Sequence, residues 1–160
     1  MSTTKNYMKV LKESLEKKIV ILQSLLEASV RQSVLADAEE LNMDEFETVM
    51  EQKDSLLEQL TELDQGFETI YRSVETELKE NKEQYRSEIA DIQQLIRKCT
   101  DIRVELQALE ERNKTKLSIK FAAQQREIRQ VRTSSKAASS YYKLMSGGQK
   151  MDSIFLDQKK

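Results

Sequence analysis

Proline is absent from this chain of 160 residues, and glycine occurs only three times. A sheet protein of this size needs frequent turns, so the shortage of both favours long, uninterrupted helices. Histidine and tryptophan are also missing, and cysteine occurs once, as Cys99. That excludes zinc fingers, disulfide frameworks and any acid–base site that depends on histidine. The longest apolar run is four residues, Ile19–Leu22, which is too short for a membrane span and too deep in the chain for a signal peptide. The expectation from these absences is a cytoplasmic protein with no stable membrane insertion.

What is present is charge. Charged residues make up 34% of the chain, hydrophobic residues 38% and aromatics 6%, with a net charge of −2. Such a composition supports a thin core between long rods. Met8, Leu11, Leu15, Ile19, Leu22, Leu26 and Val30 recur at helical spacing, and Val20, Ile21, Leu25 and Val34 widen that stripe until it wants two neighbours. The phase is lost over Asp37–Asp44, where Asn42 or Asp44 is placed to cap a second helix; Glu47 stands three residues after Asp44, the spacing of a capping box. Phe46, Val49, Leu56, Leu60, Leu63, Phe67, Ile70, Val74 and Leu78 mark that helix, with Gly66 inside it as a weak point or kink. A turn near Lys79–Glu83, around Asn81, returns the chain; a single helix running through this point is the alternative. The third stripe is Tyr85, Ile89, Ile92, Ile96 and Cys99, and after a small shift Ile102, Leu106, Leu109, Asn113, Leu117, Phe121, Ile128 and Val131. The fold predicted is all-α: an antiparallel bundle of three long helices with coiled-coil character. The bundle spans about residues 1–136, with helices near 4–36, 44–79 and 84–135, and a flexible tail covers 137–160.

Charge is unevenly spread. Glu27–Glu83 holds 17 acids against five bases, whereas Arg112–Lys136 holds eight bases and the single acid Glu127. The basic segment reads as a solvated or internally paired face, as a surface that binds an acidic or polar protein surface or, least, as a nucleic-acid site. It carries no aromatic stacking platform, so no nucleic-acid partner is expected. Cys99 lies in an apolar stripe and reads as an inert thiol. No catalytic constellation stands out among the carboxylates, and Gly147-Gly148-Gln149-Lys150 lacks the spacing of a phosphate loop. Neither an enzyme activity, a cofactor nor a metal is expected. A third helix of about 50 residues would be about 75 Å long at ~1.5 Å per residue, against about 50 Å for the first two. Its end should overhang and expose Phe121, Ile128 and Val131. Tyr141-Tyr142-Lys143-Leu144-Met145 and Ile154-Phe155-Leu156 are apolar clusters in a polar tail, suited to docking.

Three features resemble the FlgN-type flagellar type III export chaperones. Glu51-Gln52-Lys53-Asp54-Ser55-Leu56-Leu57, followed by Leu60 and Leu63, is similar to that family's acid-x-Lys-x-x-Leu-Leu pattern. Asn113, with Leu117 after it, stands in the last long helix as the family's Asn does. The tail, with Tyr141 or Tyr142, Gly147-Gly148, and Ser153-Ile154 through Asp157 to a basic terminus, is similar to the family's ending. The resemblance implies a cytosolic chaperone that binds C-terminal segments of the hook–filament junction proteins, keeps them unassembled and delivers them to the flagellar export apparatus. The family's client-binding region is C-terminal. It maps onto Leu117, Phe121, Ile128, Val131, Tyr141, Tyr142, Leu144, Met145, Ile154 and Phe155, in a monomer or weak homodimer. A homodimeric coiled-coil adaptor without a secretion role is the competing reading.

Overall fold

The computed structural model describes residues 3–123. Three helices account for nearly all of them: α1 (Thr3–Asp37), α2 (Met43–Glu80) and α3 (Arg86–Ala122). They pack on one another, and no strand occurs among the described residues, so the all-α three-helix bundle is as predicted. The expected extension of α3 to residue 135 and the tail 137–160 lie outside the described residues.

Both breaks have local chemical causes. Asn42 is the N-cap of α2: its side chain accepts a bond from the Glu45 amide at 3.1 Å, and its Nδ2 donates to Glu45 Oε1 at 3.0 Å. The cap thus forms with Asn42 and Glu45, two residues earlier than the alternative pair Asp44 and Glu47. It satisfies an amide that the first turn of any helix leaves without an intrahelical partner. At the other end α2 stops at Glu80, and the chain turns back as expected. The Asn81 amide and its Nδ2 both donate to the Glu77 carbonyl, at 3.0 and 3.2 Å. Tyr85, 1% exposed, packs beneath this turn and donates its hydroxyl to Glu77 Oε2 at 3.1 Å.

Three ion pairs and one side-chain hydrogen bond fix the directions. Lys5–Glu88 and Lys116–Asp37 join the two ends of α1 to the corresponding ends of α3, so these helices run parallel. Lys18–Asp64 and Arg31–Gln52 join α1 to α2 in the opposite sense. The backbone of α1 lies close to both other helices, while α2 and α3 reach each other through side chains such as Phe46 and Phe121. The breadth of the α1 stripe required this central position, with Ile21 and Leu25 buried as expected. Val20, Val30 and Val34 differ from the expectation. They are 60%, 49% and 65% exposed, because two neighbours cover only part of the circumference of α1.

The main core gathers Met8, Leu11, Leu15, Leu22 and Leu25 from α1, Leu57, Leu60, Phe67, Val74 and Leu78 from α2, and Ile89, Ile92, Ile96 and Leu106 from α3. A second, separate core lies at the far end: Ala36, Leu41, Phe46, Met50, Leu117 and Phe121. Gly66 interrupts nothing, since α2 is continuous across it and a Cβ built there meets no atom within 4 Å. Gly66→Ala should therefore stabilise the helix by about 1 kcal/mol and raise Tm by about 3 °C, read by thermal circular dichroism. A lower Tm would mean the glycine serves a conformation other than this helix.

Candidate functional site

The inner positions of all three helices follow an alternating four–three step, the repeat of a left-handed coiled coil. In α3 the step runs unbroken through Tyr85, Ile89, Ile92, Ile96, Cys99, Arg103, Leu106, Glu110, Asn113 and Leu117, all buried. No shift of phase occurs after Cys99. Arg103 and Glu110 occupy the seam, and Ile102 and Leu109, which looked like its continuation, are only half-buried beside it. In α2 the same step places Lys53 and Asp64 on the seam between Phe46 and Leu78, with Leu56, Leu63 and Ile70 flanking. In α1 it places Lys18, Ser29 and Gln32 there.

These polar seam residues meet. Lys53 Nζ lies 2.5 Å from Glu110 Oε2, with side-chain exposures of 4% and 5%. Ser29 Oγ donates to the same carboxylate oxygen at 2.6 Å, and Lys53 donates to Gln32 Oε1 at 2.9 Å. Asn113 Nδ2 donates to the Ser29 carbonyl at 2.8 Å and reaches Gln32 Oε1 at 3.5 Å. Gln32 Nε2 in turn points at the Met50 sulfur at 3.1 Å. All three helices thus contribute to one buried polar layer between the two apolar cores. Burial draws the Lys53 amine below its ordinary 10.5, because removing the ammonium from water outweighs the attraction and hydrogen bond of Glu110. Asn113 Oδ1 is buried with no hydrogen-bond partner, which costs about 1–3 kcal/mol for an amide oxygen.

A second polar point lies on the seam nearer the turn between α2 and α3. Buried Lys18 bonds Asp64 at 2.8 Å. Cys99 is within the electrostatic reach of Lys18, Arg103 and Asp64. Burial pushes its thiol above 9.0 despite the opposing cations, so it stays protonated and unreactive, consistent with a packing role.

The far end departs most from expectation. Leu117 and Phe121 do not overhang; they are 7% and 5% exposed. Phe46 opposes Phe121 edge-to-face with ring centroids 5.7 Å apart, and Leu41 from the α1–α2 connection joins the same cluster. α2 begins at Met43, level with the end of α3, and so covers the residues that a comparison of helix lengths left bare. These two positions are packing residues in this structure, and Phe121→Asp would act first on stability. The other residues named for client binding, Ile128, Val131, Tyr141, Tyr142, Leu144, Met145, Ile154 and Phe155, lie outside the described residues.

The described part of the basic segment is partly spent on the fold. Lys116 pairs with Asp37 at 3.0 Å and donates to Ser33 at 3.3 Å. Lys120 donates to the carbonyls of Ala38 and Glu39 just beyond α1. The two cations thus stand at the C-terminus of α1, where positive charge complements the helix dipole. Arg112 and Lys114 face solvent.

Other surfaces offer less. Val104 and Ile119 are exposed on α3. Among the described residues no group of His, Cys, Asp or Glu is placed to hold a metal ion. By length and composition alone α1 is apolar enough to cross a membrane, a test that core helices of soluble proteins and signal sequences also pass. The short apolar runs did not reveal this property, because in α1 the hydropathy is spread along the whole helix. No protein-family model matches the chain, and searches of curated proteins and of solved structures return no match.

The polar layer makes a sharp thermodynamic forecast. Lys53→Met alone leaves the buried Glu110 without its ionic partner, and should cost about 3–5 kcal/mol in urea unfolding, whereas adding Glu110→Leu should recover most of it. The wild-type chain should also gain stability relative to the double variant as pH rises towards 10.5. In that window the unfolded Lys53 holds a proton that the folded one has released, so the group's cost is greatest below its folded pKa and is relieved above it. A flat pH difference between the two proteins would show that Lys53 is solvated.

Proposed function

We propose that this chain is an export chaperone of the FlgN type, holding amphipathic C-terminal segments of flagellar hook–filament junction proteins until they are delivered to the export apparatus. The observation that carries this reading is the order of the pattern residues along an all-α bundle: Lys53 and Leu56-Leu57 on α2, Asn113 and Leu117 late in α3, then the Tyr- and Gly-bearing tail. The placement of Lys53 and Asn113 lends support. The two residues are 60 positions apart in the sequence, yet both bond Gln32 in one layer. Two separate parts of the resemblance thus belong to one structural unit.

The proposed mechanism is physical occlusion. Segments that polymerise through amphipathic helices are kept apart when an apolar surface covers their apolar face. A client segment that orders only on binding spends part of the contact energy on that ordering, which keeps release possible. No catalytic step is needed, and no cofactor enters.

The adaptor reading gains from the exposed Val20, Val30 and Val34 on α1, although exposed Gln23 and Glu27 lie on the same face between them. Against it, the main seam of every helix is already consumed inside one chain. Light scattering on the full chain separates the two: a tight dimer without a client favours the adaptor.

Deleting residues 137–160 should leave helicity unchanged while removing co-purification with a junction protein from cells that assemble flagella. Undiminished capture by the truncated chain would overturn the assignment of the tail. Capture of no junction protein by the full chain would overturn the function itself.

A further inference from the structure

We propose that the end of the bundle beyond the polar layer opens as a unit and takes a basic amphipathic helix of a partner protein in place of the last turns of α3. The inference rests on the binding role proposed above and names a site for it.

The construction of that end supports local opening. Its core holds Ala36, Leu41, Phe46, Met50, Leu117 and Phe121, with Leu35 and Met43 half-buried against them, and it is separate from the main core. The layer dividing the two is polar and includes the orphaned Asn113 Oδ1, so apolar packing is not continuous through it. A segment with few buried apolar contacts opens at a lower free energy than the whole fold. When α3 lifts from Leu117 onward, the side chains of Phe46, Met50, Leu41 and Ala36 are uncovered together.

Charge says what would replace α3. Two of its lysines serve this end, Lys116 on Asp37 and Lys120 on the carbonyls of Ala38 and Glu39. Asp44, Glu45 and Glu51 stand exposed along the adjoining start of α2. An occupant must supply two apolar residues one turn apart, as Leu117 and Phe121 are, and cations near them. An acidic helix would leave the helix end of α1 unsatisfied and meet like charge. Because the tethered α3 competes at a high effective concentration, binding is modest and reversible, and it scales with the open fraction.

The test uses the full chain and, as probe, a fluorescent peptide of residues 105–123. Native-state hydrogen exchange should show the amides of 34–50 and 114–122 exchanging together, at least ~10-fold faster than those of Leu57–Leu78 and Ile89–Leu106. The peptide should bind more tightly than a scrambled peptide of equal composition, and Leu117→Asp with Phe121→Asp in the peptide should weaken it by ~10-fold or more. In the protein, Lys53→Met with Glu110→Leu joins the two cores and should slow end exchange and weaken the peptide. Lys116→Ala with Lys120→Ala, both away from the main core, should do the reverse by about 10-fold. Exchange of the end in step with the main core, or equal binding of the scrambled peptide, overturns the proposal. Peptide bound only as part of a dimer of intact chains also overturns it in favour of a second copy. None of these readouts involves an export client, so failure to capture a junction protein would sink the chaperone reading while leaving this site standing.

Discussion

The buried contact between Lys53 and Glu110 is the constraint on which the arrangement of the three helices depends. Apolar seams with a regular four–three step fit equally well after a slip of one heptad, because leucine packs against leucine in either register. A charged pair does not. Sliding α3 by seven residues against α2 would set Lys53 opposite Leu117 or Arg103, leaving a buried ammonium unpaired or facing a like charge. Either outcome costs several kcal/mol, more than an exchange of one aliphatic contact for another. Ser29 and Gln32 extend the same discrimination to α1, since they bond the two partners of the pair and only one register brings all of them level. The pair itself loses much of its Coulombic gain to desolvation, as the lowered Lys53 amine records. Its value lies in excluding alternatives.

From this layer the rest of the molecule follows as two unequal parts. Towards the turn at Asn81, long aliphatic rows from three helices make the main core, with Lys18–Asp64 and the buried Arg103 as charged interruptions. Away from it the helices are held by a small cluster of six buried and two half-buried apolar residues and by cations of α3 on the end of α1. The uneven charge along the sequence acquires a physical role here. Lys116 and Lys120 belong to the basic segment, and the acids that meet them or stand nearby belong to the acidic one. Parallel packing of α3 along α1 delivers the first to the second.

The helices and their breaks were legible because they depend on local signals. Periodicity placed α1, α2 and the start of α3, Asn42 offered a side-chain cap, and Asn81 sat where the amide and side chain could both return to Glu77. The seam was harder to read, for a definite reason. Seeking apolar residues at every inner position, one passes from Cys99 to Ile102 and imagines a change of phase. Holding the four–three step and accepting what falls on it leads to Arg103 and Glu110, and in α2 to Lys53. A charged residue in strict register, with an opposite charge in register on another helix, is the signal that would have revealed the layer. Phe121 was misplaced because the lengths of two helices were compared without asking which residues the start of α2 would lay across the end of the third. Val20, Val30 and Val34 were read as core because sequence periodicity does not say how many neighbours a broad stripe finds.

Among the described residues, Lys53, Leu57 and Asn113, which carry part of the family resemblance, help to hold the bundle together. Lys53 and Asn113 share Gln32 as a partner, and Leu57 packs in the main core. Their pattern therefore bears directly on architecture and only through architecture on function. Any chain that needs three helices locked in this register has reason to place a lysine on the second and an asparagine late on the third. What would distinguish a chaperone from another bundle of the same build must lie where the polar layer stops constraining the fold: in the small end core, whose apolar side chains are covered by few residues, and in the segment that continues beyond Ala123. A binding surface placed there separates two demands. The main core can be made as stable as the fold requires, while the end remains weak enough for a partner to compete with Leu117 and Phe121. Combining both in one continuous apolar core would force a choice between stability and release.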